Sequence, residues 1–241
     1  MSVYIGHAVQ DEDGKSRGGQ PGDQTGKEVC TRRWYLNQKG WRVFRAKDPL
    51  VAEKIAYDME AACANPCIGY DQSDRNTLTE IVSKLDYDCA RVTKPCETDC
   101  SALVYVCARY AGVKVGSFNT ASEAKALLAT GAFEELEGSK YTDDSAFLRR
   151  GDILVTCTKG HTCVVLNDGD KAYAGDTNVV YVKGRSVRVR AGDSSKTACV
   201  GIAHRGDEFL YLGTAPSGWY KIMYYGREAY ITNKPQYTEL R

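Results

Sequence analysis

The sequence predicts an α+β unit, with helices packed on a small antiparallel sheet, followed by a small all-β unit. Three observations carry this reading. Apolar residues recur at helical spacing in the front half, short hydrophobic runs separated by turn signals begin near residue 150, and the composition changes around residues 180–185. At 241 residues the chain can bury a full core and has room for two domains. Its 43% hydrophobic and 26% charged content is ordinary for a globular protein, and no apolar run approaches the ~18 residues that span a bilayer, so no membrane partner is expected.

The first predicted helix starts at Asp48-Pro49, a cap followed by proline at the first helical position. Val51, Ala52, Ile55, Ala56, Met59, Ala62 and Cys63 make its apolar stripe, and Asn65-Pro66 stops it. A second helix opens at Cys100 behind Asp99. Leu103, Val104, Cys107, Ala108 and Ala111 repeat along it, and Gly112 offers a stop. Thr120 with Glu123 reads as a capping box ahead of residues 124–129, closed by Gly131. Strands follow at 150–157 and 162–166, joined by the turn Thr158-Lys159-Gly160. Asn167-Asp168-Gly169-Asp170 is a hairpin signal, so residues 171–176 should return antiparallel beside the strand that His161 begins.

A cysteine at a helix N-terminus is where a thiolate is stabilised by unpaired amides and the helix dipole, so Cys100 is expected to ionise nearer neutrality than the usual ~8.5. A nucleophile of this kind needs a base, and the chain has three histidines: His7, His161 and His204. His161 starts the second strand of a hairpin and can be held rigidly toward the helix N-terminus, whereas no motif surrounds His7 or His204. If Asp168-Gly169 forms a two-residue turn, antiparallel counting pairs His161 with Asp176, whose carboxylate would orient the imidazole. A change of one residue in turn length defeats that count. A plain Cys100/His161 dyad or a residue from the N-terminal segment are the competing accounts.

Ten cysteines raise the question of metal. Cys63/Cys67 and Cys96/Cys100 are each separated by three residues and have no histidine nearby, which is not structural zinc spacing, so no metal and no cofactor are expected. Cys107, Cys157 and Cys163 read as small core residues of a chain made in a reducing cytoplasm. The loop Asp11-Glu12-Asp13-Gly14 with Asp23 downstream is oxygen-rich and could hold calcium, but a solvated acidic loop is the favoured reading. The start of the chain, Met1 to His7, lacks a basic stretch followed by an apolar one, so no cleaved secretory signal is expected.

Three segments taken together, Thr98-Asp99-Cys100-Ser101-Ala102-Leu103-Val104, Arg150-Gly151-Asp152-Ile153-Leu154-Val155 and Gly160-His161-Thr162-Cys163-Val164-Val165, resemble the NlpC/P60 superfamily of cell-wall cysteine hydrolases. The resemblance covers roughly residues 60–180, with Ala102 where the family usually has glycine, and with Gly22 to Gly26 it extends to phage lysins of Gram-positive hosts. It implies a papain-like catalytic domain over residues 1–180, with Cys100 as nucleophile and His161 as general base. It further implies that Asp99 pairs with a free peptide amine of the substrate, or acts only as the N-cap, and that Ser101 donates a hydrogen bond there. Backbone amides at the helix start would meet the oxyanion. The family's third, polar member would fall near Tyr173, a poor match.

From residue 184 the chain carries nine Lys+Arg against five Asp+Glu, and eight of the 24 aromatic residues, in short alternating runs. Residues 186–192, 217–222 and 226–231 resemble the strands of a bacterial SH3 domain of the wall-binding type, which implies a small all-β SH3-like barrel over 184–241. The charge excess is modest and no basic helix is visible, so nucleic acid is not the expected partner. The resemblances together imply a phage lysin made in the host cytoplasm and acting on Gram-positive peptidoglycan. The bond cut would be an amide in the peptide part of the wall, through an acyl-enzyme, as an endopeptidase or an N-acetylmuramoyl-L-alanine amidase. A wall-binding protein with a decayed catalytic domain and an interbacterial toxin with the same chemistry are the alternatives.

Overall fold

Helix α1 forms where cap and stripe place it, over Pro49–Ala64, with the Asp48 side chain accepting from the Leu50 amide and Ala52, Ile55, Ala56, Met59 and Ala62 buried. The structure is a computed structural model that describes residues 2–158, 160–175 and 178–241. It separates into two compact units, residues 1–172 and 173–241. No helix among the described residues is long and apolar enough to cross a membrane.

The first unit holds strands β1 (Tyr4–Ala8), β2 (Val29–Arg33), β3 (Trp41–Ala46), β4 (Ile68–Tyr70), β5 (Cys96–Thr98), β6 (Phe133–Leu136), β7 (Ile153–Thr156) and β8 (Thr162–Val165). Its other helices are α2 (Thr77–Val82), α3 (Cys100–Tyr110), α4 (Glu123–Ala129) and the single turn α5 (Ser139–Thr142). Six strands make an antiparallel sheet in the order β2-β1-β8-β7-β3-β6, and β4 and β5 pair in parallel beside it. Strand alternation gives the sheet two apolar faces. Phe44, Ile153, Val155 and Val164 pack with α1 and α3 on one. Ile5, Trp41, Val43, Leu154, Cys163 and Val165 form the cluster on the other.

The neighbours of β8 correct the expected hairpin. Residues 170–175 are a turn rather than a returning strand, and the place beside β8 is taken by β1, with Ile5 opposite Val165 and Gly6 opposite Val164. Tyr4 and Leu166 continue the join, the Leu166 amide donating to the Tyr4 carbonyl. A local turn signal thus lost to a long-range pairing that buries Val3 and Ile5. Asp176, proposed from the turn count, lies outside the described residues.

The Gly151-Asp152 step acquires a packing reason. Gly151 has φ +86°, and a Cβ there would overlap the backbone of Ala52 on α1. Asp152 is 1% exposed and takes two hydrogen bonds from Arg45, at 2.8 Å from Nε and 2.6 Å from Nη2, plus one from the Arg149 amide. Arg150 reaches back to α1, where it binds Glu53 and Glu60. Loop, sheet and first helix are therefore tied at one corner.

The second unit contains β9 (Val179–Val182), β10 (Ser186–Arg190), β11 (Cys199–His204), β12 (Glu208–Thr214), β13 (Tyr220–Tyr224), β14 (Arg227–Ile231) and β15 (Thr238–Leu240). They pair as one antiparallel sheet in the order β11-β10-β14-β13-β12-β9-β15. Among the described residues its edge strands do not join, so the expected barrel is not closed. β12 explains how one sheet serves two directions: Glu208–Leu210 pair with β9, Tyr211–Thr214 with β13, and a bulge with Gly213 at φ +134° lies in the second half. Val180, Val182, Val187, Val189, Ile222 and Ile231 fill the core. Val179 and Val180, which the sequence reading put at the end of the first domain, pair in this second sheet.

Candidate active site

Strand β5 runs directly into α3, so Asp99 and Cys100 sit at the junction of a fixed strand and a buried helix. Asp99 caps the helix, its Oδ1 accepting from the Ala102 amide at 2.7 Å and from Ser101 Oγ at 3.0 Å. Arg75 closes the arrangement. Its Nε lies 2.6 Å from Asp99 Oδ2, and its Nη2 donates to Asp99 Oδ1, Ser101 Oγ and the Phe118 carbonyl. Both carboxylate oxygens of Asp99 are engaged, and Ser101 is 1% exposed. This is the capping arrangement; a substrate amine would have to displace Arg75.

Cys100 is 6% exposed. The amides of Thr162 and Ser101 face its thiol and favour the thiolate, yet burial, Asp99 and Glu123 outweigh them and push the thiol up to about 12. The expectation of a lowered thiol pKa is corrected accordingly. A helix N-terminus acts within its first turn, and here that turn is desolvated and flanked by carboxyl groups. The Thr162 contact also places the thiol against the residue that follows His161.

The backbone of His161 is pinned by the β7–β8 turn, where its N–H donates to Thr156 Oγ1 and its carbonyl accepts from the Thr156 amide at 3.0 Å. Its ring packs 6.3 Å from Trp41. Nε2 lies 2.8 Å from His7 Nδ1, a contact the sequence reading did not foresee. The pairing of β1 with β8 produces it: continuing the register past Gly6 puts His7 opposite Cys163, so His7 and His161 are diagonal neighbours on one face. His7 is 1% exposed. Burial, the neighbouring His161 and Arg32 lower its pKa to about 3, and burial and Arg32 lower that of His161 to about 4. Both rings are neutral near neutral pH. No hydrogen bond joins Cys100 to the His161 ring among the described residues, and Nε2 is the ring nitrogen of His161 that His7 engages.

Glu123 is another residue whose place was misread. Thr120 does not cap α4; its Oγ1 accepts from the Gly160 amide instead. Glu123 turns inward, 0% exposed, and its Oε1 accepts from Thr162 Oγ1 at 2.7 Å. Burial, ahead of the charge of Asp99, holds its carboxyl well above the usual range. The signal for an inward Glu123 was absent from the sequence, since glutamate three residues after threonine is the ordinary mark of a solvated cap.

The acidic loop is also resolved into roles. Asp11 Oδ1 accepts from the amides of Asp13 and Lys15, and Asp23 Oδ1 accepts from those of Thr25 and Gly26. Each of these carboxylates is capping a turn. All ten cysteines are free thiols.

A family model described as an endolysin-like domain matches residues 5–172. No curated protein and no solved structure matches the chain.

Proposed function

The chain belongs to the endolysin-like domain family, and from that premise we propose that it is a phage lysin that hydrolyses an amide bond in the peptide part of Gram-positive peptidoglycan with Cys100 as nucleophile. The observation that supports the mechanism is the contact of the Thr162 amide with the Cys100 thiol, which sets the thiol next to the residue after His161, whose ring pairs with His7. The mechanism takes the tautomer in which His161 Nε2–H is the donor to His7 Nδ1, which leaves the Nδ1 lone pair of His161 as base. The ground state is a neutral thiol and a neutral imidazole, so the proton leaves sulfur as the bond to carbon forms.

Sγ adds to the amide carbonyl carbon while His161 takes the thiol proton, and amides at the start of α3 receive the charge on oxygen. The tetrahedral adduct collapses with cleavage of the C–N bond, and the imidazolium passes its proton to the leaving nitrogen, giving a free amine and a thioester on Cys100. Water, deprotonated by His161, attacks the thioester. The products are a carboxylic acid and the restored thiol. Arg75, Asp99 and Ser101 hold the helix start in place, and a resting thiol that titrates high is protected from oxidation until substrate arrives.

Endopeptidase and N-acetylmuramoyl-L-alanine amidase activity both fit this chemistry. Mass spectrometry of fragments released from purified peptidoglycan decides between them, because it reports the new amine and carboxylate termini. Digestion by the parent chain and none by Cys100→Ala, folded to the same melting temperature, is the expected outcome. Fragments released equally by both chains would remove Cys100 from the mechanism.

A further inference from the structure

Glu97, on β5, is 2% exposed, and neither of its carboxylate oxygens has a hydrogen-bond partner. Glu12 Oε2 is likewise buried without one. Parallel pairing sets Glu97 beside Gly69 on β4. The absence of a side chain at Gly69 lets the Gly22 carbonyl and Glu28 pack close: a Cβ there would run into the Gly22 carbonyl and come within 3.0 Å of Glu28 Oε2. At Gly19, a Cβ would lie 2.9 Å from Glu12 Oε2 and 3.3 Å from the Tyr70 carbonyl oxygen. Glu28 is held in position by the amides of Tyr70 and Gln24, at 3.1 and 2.7 Å.

Burial, and after it the negative charges of Glu28, Asp71, Glu12 and Asp74, push the Glu97 carboxyl up to about 8. Buried carboxylates without a partner are costly to keep ionised. Asp71 accepts from three amides, those of Gly18, Gly19 and Ser73, whereas Glu28 accepts one on each oxygen and keeps lone pairs free. Glu12 and Glu97 hold the buried oxygens without a partner, Glu28 stands beside the Gly22 carbonyl, and Glu12 beside the Tyr70 carbonyl.

We propose that Glu12, Glu28 and Glu97, with the carbonyl oxygens of Gly22 and Tyr70, form a binding site for calcium. The donors are all oxygen, mixed between carboxylate and backbone carbonyl, and lie on a loop and two short strands. That suits the larger cation with flexible coordination; magnesium demands a tight octahedron and keeps its waters. Among the described residues no three His, Cys, Asp or Glu side chains already converge on a point, so the ion draws Glu12 and Glu97 inward by rotation about their side-chain bonds. Once bound, it ties the loop before β2 to the strand that leads into Asp99 and Cys100. The site differs from the loop Asp11/Asp13/Asp23, whose carboxylates cap turns, and its existence is independent of which bond the protein cuts.

The test is isothermal titration of the full chain, stripped with EDTA, with calcium chloride and separately with magnesium chloride, alongside thermal unfolding at each concentration. One calcium per chain, with Kd on the order of 10⁻⁶–10⁻³ M, a melting temperature that rises with calcium and weaker binding of magnesium are expected. Glu97→Gln should weaken calcium binding at least about tenfold, and Asp13→Asn should leave it unchanged. Should Glu97→Gln fail to fold, Glu12→Gln, on the loop, should show the same loss. No heat and no stabilisation at millimolar calcium would overturn the proposal, as would undiminished binding by the folded Glu97 variant or by Glu12→Gln. Stabilisation by Glu97→Gln alone, with no response to calcium in the parent chain, would show that the cluster is relieved by a proton and not by a metal.

Discussion

His7 and His161 face each other as two neutral imidazoles, and the bond between them has separable effects on rate and on stability. Acting through His161, His7 is a positioning residue. His7→Ala should lower kcat by about 10–100-fold, less than the ~10²–10⁴-fold given by loss of the base in His161→Ala. His7→Asn, whose side-chain oxygen can accept the same bond, should recover part of the loss with little change in KM. Equal kcat in folded His7→Ala and parent chains would leave His7 a packing residue. The pairing also fixes a pH response. The unfolded chain protonates its histidines near 6.5, whereas the folded chain resists until about 4 at His161 and about 3 at His7, so stability falls as pH drops from about 6.5 toward 4. Asp58 on α1 has the opposite sign. Burial raises its carboxyl to about 7, so the folded chain keeps a proton that the unfolded chain releases near 3.8, and stability falls as pH rises between those values. Asp58→Asn should therefore raise the melting temperature at pH 8 by more than it does at pH 4; a difference that is the same at both pH values would refute the assignment.

Helix α3 and the β7–β8 hairpin are the elements on which the site is built, and both were legible in the sequence because their signals are local. An acidic cap, a helical stripe and a glycine stop define α3 within about a dozen residues, and a turn between two apolar runs defines the hairpin. What stands beside β8 was not legible. Its partner is set by burial of Val3 and Ile5 from the far end of the chain, which no local pattern encodes, so His7 was passed over and the segment after Asn167 was given its place. The thiol of Cys100 was misjudged for a related reason, since the helix position favours ionisation but the burial that reverses it comes from packed neighbours. Asp152 was legible as half of a motif, without the Arg45 pair that explains it. Asp152→Ala would strand a buried guanidinium and should destabilise the chain by about 3–5 kcal/mol in chemical denaturation. A loss within ~1 kcal/mol would mean that water replaces the carboxylate.

Over the whole molecule, the chain divides into two compact units, residues 1–172 and 173–241. If the second unit binds the wall, residues 173–241 alone should sediment with purified Gram-positive walls. Residues 1–172 should still cut soluble muropeptides while lysing whole cells poorly, because tethering raises the local concentration of bonds without altering the chemistry. A folded second unit with no affinity for walls, and undiminished whole-cell lysis on its removal, would make it a structural appendage. Half-buried Trp219 lies outside the apolar cluster of that unit and largely exposed Tyr225 follows β13, which makes them the first positions to vary in a binding assay. The central position of β1 has a further consequence, for the order of events at the ribosome. Its histidine waits for a partner 154 residues later, and at about 5–20 residues per second that is an interval of roughly 8–30 s of synthesis. Throughout it the emerging strand has no neighbour on its β8 side and the imidazole pair cannot form, so the sheet of the first unit closes only once its latest-made strand is in place.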